Sequence, residues 1–224
     1  MDITQPVLVN DDLLNISQKM SALAASGRNF NLALQEAAEM IWQTMRAGVC
    51  TIVLTDIDCS SIRPVACAGC SEEFSLYLRG RYIELGPPGS SAPLDQDLVR
   101  AGRPIEKYGL QENGQGVARP EVARRFGLQS LLAYPLLAEN RVIGYLNYFS
   151  QGGDPFPDVL RSCLNICAHH VSILIERLES LTGRHRLQQL NELMQAMAEA
   201  QDVDSLLALI LRSGADLVQA PRGT

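Results

Sequence analysis

The stretch Ser130–Ser150, SLLAYPLLAENRVIGYLNYFS, constrains the fold more than any other part of the chain. Two runs rich in Leu, Val, Ile, Tyr and Phe flank the polar pair Glu139-Asn140. Strand formers on both sides of a short polar break predict a β-hairpin. Asn tolerates the left-handed backbone of a tight hairpin turn. Because side chains alternate faces along a strand, Val142, Gly144, Leu146 and Tyr148 are expected on one face of the second strand. Ile143, Tyr145, Asn147 and Phe149 are expected on the other. Neither face is plainly wet, so the sheet is expected to be covered on both sides. The face with Tyr145, Asn147 and Phe149 sets polar groups among apolar ones, as a pocket wall does. The same groups would also suit hydrogen-bonded positions in a core.

Upstream of the hairpin, residues 1–10 read as a tail. Asp11-Asp12 can cap a helix whose apolar stripe is Leu13, Ile16, Met20 and Leu23. A second helix is expected from Asn31 to Arg46, with Leu34, Ala37, Ala38, Ile41 and Met45 on its buried face and Trp42 beside them. Val49–Thr55 and Ile62–Ala68 read as strands. Ser71–Arg79 reads as a helix capped by Ser71. Leu85–Pro93 is a Gly- and Pro-containing loop, Leu94–Gly102 a short helix, and Lys107–Arg119 a segment without periodicity. Pro120–Phe126 is a helical turn with Pro at its start.

After Gly152-Gly153-Asp154-Pro155 a long helix is expected from Pro157 to Leu181. Leu160, Leu164, Cys167, Val171, Leu174, Leu178 and Leu181 recur at alternating spacings of four and three, and Cys163, Ile166, His170 and Ile173 form an adjacent stripe. Two apolar stripes call for two partners, one of them the chain's own sheet and the other a second copy of the chain or, alternatively, the first helix of the same chain. A homodimer is therefore expected through Leu160, Leu164, Val171, Leu174, Leu178 and Leu181. The helical region as a whole spans 158–200, with a break at Thr182-Gly183. Residues 202–224 align at a constant offset with 29–51, and Leu34/Leu207, Ala47/Ala220 and Thr51/Thr224 are identical. The segment 201–224 thus reads as the truncated start of a second copy of the domain.

Charge and composition exclude several classes. A net charge of -6, with no basic stripe interleaved with aromatics, does not suit a nucleic-acid binder. The N-terminus MDITQPVLVNDD has neither the basic nor the apolar region of a signal peptide. No run approaches the ~20 apolar residues of a membrane span. Six cysteines are too sparse for a disulfide scaffold, so cytoplasmic thiols are the expectation.

In this order of elements the chain resembles a GAF domain. The likeness is carried by RPVACAGCSEEF (63–74), LVRAGRPI (98–105), LQSLLAYPLLAENRVIGYLNYFS (128–150) and the exit helix, over residues 11–181, with the domain itself at 11–157. The resemblance implies an α+β fold: an antiparallel sheet with helices on one face, a lidded pocket on the other, and long N- and C-terminal helices. It implies a non-enzymatic sensory or regulatory module of a bacterial-type signalling protein, in front of an output domain that this chain does not contain.

The residues narrow the ligand without naming it. The Asn-Lys…Phe…Asp-Glu signature of cyclic-nucleotide-binding GAF domains is absent. The chain has no Cys-His pair, and no Cys between Cys70 and Cys163, for covalent bilin attachment. His169, His170 and His185 all fall on the exit helices, away from where a haem ligand would be needed. The segments expected as lids, 85–93 and 107–119, lack the thiols of the GAF enzymes that reduce free methionine sulfoxide. A pocket is expected to be lined by Tyr145, Asn147 and Phe149, with Tyr82 and Tyr108 from the lids. The pairs Cys67-x-x-Cys70 and Cys163-x-x-x-Cys167 leave open a zinc, iron–sulfur or redox site. Packing as small buried hydrophobes is the plainer expectation for them.

Overall fold

The computed structural model describes residues 10–26, 28–45, 48–87, 99–113 and 120–199. It divides into two compact units, Met1–Glu176 and Arg177–Thr224. In chain order the elements are α1 (Asn10–Ala25), α2 (Phe30–Met45), β1 (Val49–Thr55), β2 (Ser61–Ala68), α3 (Glu72–Leu78), β3 (Ile83–Glu84), β4 (Ile105–Tyr108), α4 (Leu110–Asn113), α5 (Pro120–Arg125), β5 (Ser130–Ala138), β6 (Arg141–Ser150) and α6 (Asp158–Glu199). The region expected to repeat the head of the domain, 201–224, lies outside the described residues. So do residues 88–98 and 114–119 of the expected lids and short helix.

The hairpin forms as its sequence predicts. Glu139 and Asn140 take φ values of 48° and 63°, which is the type I′ turn that matches the twist of paired strands. The six-stranded sheet is antiparallel throughout, in the order β3-β2-β1-β6-β5-β4. Two details depart from simple alternation, one in the β1–β2 pair between Ile52 and Val53 and the other in the β5–β6 pair. The register steps from Leu136↔Gly144 to Leu137↔Val142, so Ile143 is an extra residue in β6. The bulge turns Val142 onto the face of Tyr145 and Phe149, where it joins their apolar cluster. The expectation that Val142 shares a face with Leu146 is corrected accordingly.

Helices cover one face. The α2 residues Leu34, Ala37, Ala38, Ile41 and Met45 are buried, and α2 packs on β1 and β2. The Ala residues of that face bring the helix backbone close to the sheet. Ile16, Met20 and Leu23 of α1, which packs on α2, are also buried. On α6, Leu160, Leu164, Val171, Leu174 and Leu178 are all buried within this one chain, while Leu181 is half exposed. Leu160, Leu164, Val171 and Leu174, all expected at a dimer interface, are therefore occupied inside the fold. Ser172 fastens α6 to the sheet. Its hydroxyl donates to Ala168 O and accepts the N–H of Leu137 at 2.9 Å, at the bulge. The helix runs through Thr182-Gly183 without the expected break. A single Gly costs a helix only about 1 kcal/mol relative to Ala, which a helix of this length absorbs. Among the described residues no helix is long and apolar enough to cross a membrane.

A polar clasp joins the start of α6 to the edge strand β4. Arg161 makes two hydrogen bonds to Glu106, at 2.8 and 3.2 Å, and a third to Asp158. Tyr108 donates to Glu106 and accepts the N–H of Phe156. The Arg161 hydrogen bond, followed by that of Tyr108, outweighs burial and holds the Glu106 carboxyl below its ordinary range. A carboxyl depressed in the folded state adds stability above its unfolded pKa and loses it as pH falls through the folded value. Arg161→Ala should thus lower the melting temperature at neutral pH and flatten its fall on the acid side. Because the pair is partly exposed, the loss should be smaller than for any buried apolar truncation and should shrink in high salt. Thermal melts from pH 3 to 7 check this.

Candidate functional site

The site is set by cross-strand register on the face away from α1, α2 and α6. Residues directly opposite each other in an antiparallel pair share a face. Thr51 of β1 stands opposite Cys67 of β2 and Asn147 of β6, Asn147 opposite Ala133 of β5, and Ala133 opposite Ile105 of β4. Cys67, Thr51, Asn147, Ala133 and Ile105 thus form one row across five strands. The adjacent rows carry larger groups: Val49, Phe149 and Leu131 on one side, Val53, Tyr145 and Pro135 on the other. At the centre of the row the polar pair Thr51 and Asn147 runs between two mainly apolar rows that carry Phe149 and Tyr145.

Among the described residues every buried polar side chain of this face has a partner. The Asn147 amide Nδ2 donates to Thr51 Oγ1 at 3.2 Å, with both residues 2 % exposed. The Tyr145 hydroxyl donates to Val99 O at 3.1 Å. Burial, with a smaller contribution from Cys59, pushes that phenol up to about 12, so it stays a neutral donor. Removing one partner of a buried hydrogen bond strands the other, whereas removing both can be nearly neutral. Thr51→Val should cost about 1–3 kcal/mol, and Thr51→Val with Asn147→Leu should cost less than the single change. A double-mutant cycle by urea denaturation measures the difference.

Short elements cover the row. Phe74 and Tyr77 of α3 pack on Phe126, just after α5, with Phe74 and Phe126 centroids 4.6 Å apart. Glu73 of α3 pairs with Arg125 of α5, and Arg81 stacks over Tyr77. These elements meet through one aromatic cluster and exposed ion pairs, which are weak contacts individually.

The structure brings Tyr145, Asn147 and Phe149 together as the sequence suggested, but not the two lid tyrosines. Tyr108 stands opposite Ser130, one residue out of step with Ile105 and Lys107, so it faces the helix side and packs on Phe156. Alternation along β4 forbids it the pocket face. Tyr82 is 64 % exposed before β3. The cysteine pairs separate as well. Cys67 and Cys70 are joined as a disulfide and pack against the Tyr145–Phe149 cluster. Cys163 and Cys167 are buried on α6, near Cys50, whose side chain faces away from that of Thr51. Burial pushes the Cys50 thiol up to about 12. The hydrogen bond with Cys163, then burial, raises Cys167. Thiols held protonated in this way are poor nucleophiles and poor metal ligands. Among the described residues no three His, Cys, Asp or Glu side chains are grouped to hold a metal. Thr51 and Ala133 were missed in the sequence. The alternation of VCTIVLT gives Thr51 the face of Val53, but nothing local says that β1 lies beside β6.

The comparisons agree with this architecture. The family model for the GAF domain matches residues 29–175. The GAF domain of a phosphoenolpyruvate-protein phosphotransferase from Coxiella burnetii superposes with a TM-score of 0.60 at 15% identity, covering 78% of this chain and 99% of that one. The phycoerythrobilin-bound GAF domain of a cyanobacterial phytochrome also gives 0.60, at 10% identity, covering 78% of this chain and 100% of that one. A domain of a putative two-component sensor histidine kinase from Sinorhizobium meliloti 1021 gives 0.54 at 18% identity, covering 70% and 98%. No curated protein sequence matches the chain significantly. With its family model spanning the whole sheet, from α2 to the first half of α6, the chain belongs to the GAF domain family.

Proposed function

We propose that this GAF domain is a sensory or regulatory module of a signal-transduction protein. In this reading it binds a small molecule over the Thr51–Asn147–Ala133 row and passes the change to α6. The observation that supports it is the contrast between the two faces of the sheet. One is covered by α1, α2 and α6 with long, well-buried stripes. The other is covered by short elements and carries a buried hydrogen-bonding pair amid apolar ridges. That lining suits a ligand with an apolar body and one hydrogen-bonding group. Asn and Thr do not titrate, so the row offers recognition and not acid–base chemistry. The route to α6 is short, because β5 and β6 carry Ala133 and Asn147 and meet at the bulge beside their turn, where Ser172 accepts the Leu137 N–H. Similar folds in a sensor kinase, a phosphotransferase and a phytochrome favour a regulatory role.

The expected homodimer stays in this reading on a different surface. Val159 and Ile166, one heptad apart on α6, are 56 % and 38 % exposed, and they are proposed to meet their counterparts in a second copy.

Native mass spectrometry of the whole chain, purified without denaturation, tests the ligand reading. The expected result is a mass above that of the bare chain, lost in the Thr51→Val, Asn147→Leu double variant. The bare-chain mass for both proteins, with no thermal shift for either across a library of small apolar ligands, would overturn it.

A further inference from the structure

The end of β2 and the turn into α3 carry a device at the edge of the ligand row. Cys67, the penultimate residue of β2, is bonded to Cys70, with Cα atoms 6.7 Å apart, within the span of a disulfide. The loop between them is shaped for this approach. Gly69 has φ +72°, and a Cβ there would lie 2.1 Å from Trp42 Nε1. Only Gly meets both conditions. Trp42 is fixed in turn, because its Nε1–H donates to Gly48 O at 3.2 Å. From α2, Gln35 grips the Cys67 peptide on both sides. Its Nε2 donates to the Cys67 carbonyl at 2.8 Å, and its Oε1 accepts the Cys67 N–H at 3.1 Å. Cys70 immediately precedes Ser71, whose hydroxyl accepts the Phe74 N–H and caps α3. Both cysteines are half-buried, whereas Cys50, Cys59, Cys163 and Cys167 are buried. The pair is therefore the reachable one, and it sits at the end of the Thr51–Asn147 row.

We propose that Cys67 and Cys70 form a reversible dithiol–disulfide couple, which exchanges with low-molecular-weight disulfides and sets how α3 is held against α2. In the oxidising direction one cysteine thiolate attacks a sulfur of the small disulfide. A mixed disulfide forms and one small thiol leaves. The other cysteine attacks the protein sulfur of that mixed disulfide, the Cys67–Cys70 bond closes, and the second small thiol leaves. Two electrons pass from the protein to the small disulfide, and the two cysteine protons end on the two released thiols. Reduction is the reverse. With the bond closed, the start of α3 is tied to β2, and through Gln35 and Trp42 to α2. With it open, α3 keeps its cap, the Phe74 and Tyr77 packing on Phe126 and the Glu73–Arg125 pair. The meaning of the couple as a signal rests on the sensory reading above, whereas the couple itself does not.

The chain has one tryptophan, Trp42, and it lies against the loop. The whole chain is equilibrated in mixtures of reduced and oxidised glutathione, quenched with iodoacetamide and mapped by peptide mass spectrometry, with Trp42 emission read on the same samples. Cys67 and Cys70 should pass together from doubly alkylated to disulfide-linked, with Cys50, Cys59, Cys163 and Cys167 unlabelled in the folded protein. Trp42 emission should change with the same midpoint, and Cys70→Ser should abolish that change while circular dichroism stays native. The proposal is overturned if Cys67 and Cys70 remain alkylatable in excess oxidised glutathione. A flat Trp42 emission across the transition would overturn it equally, as would an emission change that persists in Cys70→Ser. A normal redox transition in a chain that binds no small molecule removes the ligand reading and leaves the couple standing.

Discussion

Gly144→Ala should be among the most destabilising single substitutions in the domain. A Cβ on Gly144 would lie 2.1 Å from the carbonyl oxygen of Val53 and 3.1 Å from the Cα of Leu54. Both are backbone atoms of β1, and Leu54 is the direct partner of Gly144 in the central β1–β6 pair. No side chain can move aside to relieve the clash, so the two strands must part. Overpacking of a core costs about 1–3 kcal/mol when side chains can yield, and more when they cannot. A loss of about 3 kcal/mol or more is a large share of the 5–15 kcal/mol that holds a typical domain. Urea denaturation followed by circular dichroism reads it. Gly152→Ala is the control. Its Cβ would meet only Ser150 Oγ at 3.5 Å, and its effect should stay within about 0.5 kcal/mol.

Leu174→Glu should be the second large loss, and it should act by unfolding. Leu174 is 1 % exposed within a single chain, so the substitution would bury a carboxylate without a cation. A destabilisation of about 4 kcal/mol follows. Ile166→Glu, on the exposed side of the same helix, should change stability by no more than about 0.5 kcal/mol and lower self-association. Thermal melts and light scattering on the two variants separate the effects. A Leu174→Glu chain that stays fully folded and only dissociates would return the buried stripe to the dimer interface.

That stripe marks a limit of what the residues alone reveal. An apolar repeat at spacings of four and three says that a helix face is covered, and is silent on whether the cover is the chain's own sheet or a second copy. On α6, Leu160, Leu164, Val171 and Leu174 are buried within the chain, while Val159 and Ile166 are exposed. The hairpin was far more legible. Alternation, strand formers and Glu139-Asn140 together predict its strands and turn, and both turn residues adopt positive φ. The bulge at Ile143 was not legible, because nothing in RVIGYL marks the residue at which the register steps. The candidate site was half readable. Tyr145, Asn147 and Phe149 follow from local alternation. Thr51 and Ala133 come to Asn147 only through strand order, and Tyr108 is turned to the helix side by the pairing of β4 with β5. For Cys67 and Cys70, spacing favoured packing as small hydrophobes over a metal or redox role. The positive φ of Gly69 under Trp42 is a three-dimensional fact that brings the two sulfurs together.

The central claim is that the Thr51–Asn147–Ala133 face receives a small molecule and that α6 feels it. Hydrogen–deuterium exchange on the whole chain, compared before and after extraction of any bound molecule, tests this most directly. The predicted result is faster exchange after extraction in α3, α5 and the pairing edges of β1 and β6. A matching change is predicted around Leu137 and Ser172, with α2 unaltered. Identical exchange before and after extraction, for a chain shown by mass to have released a ligand, would contradict the account.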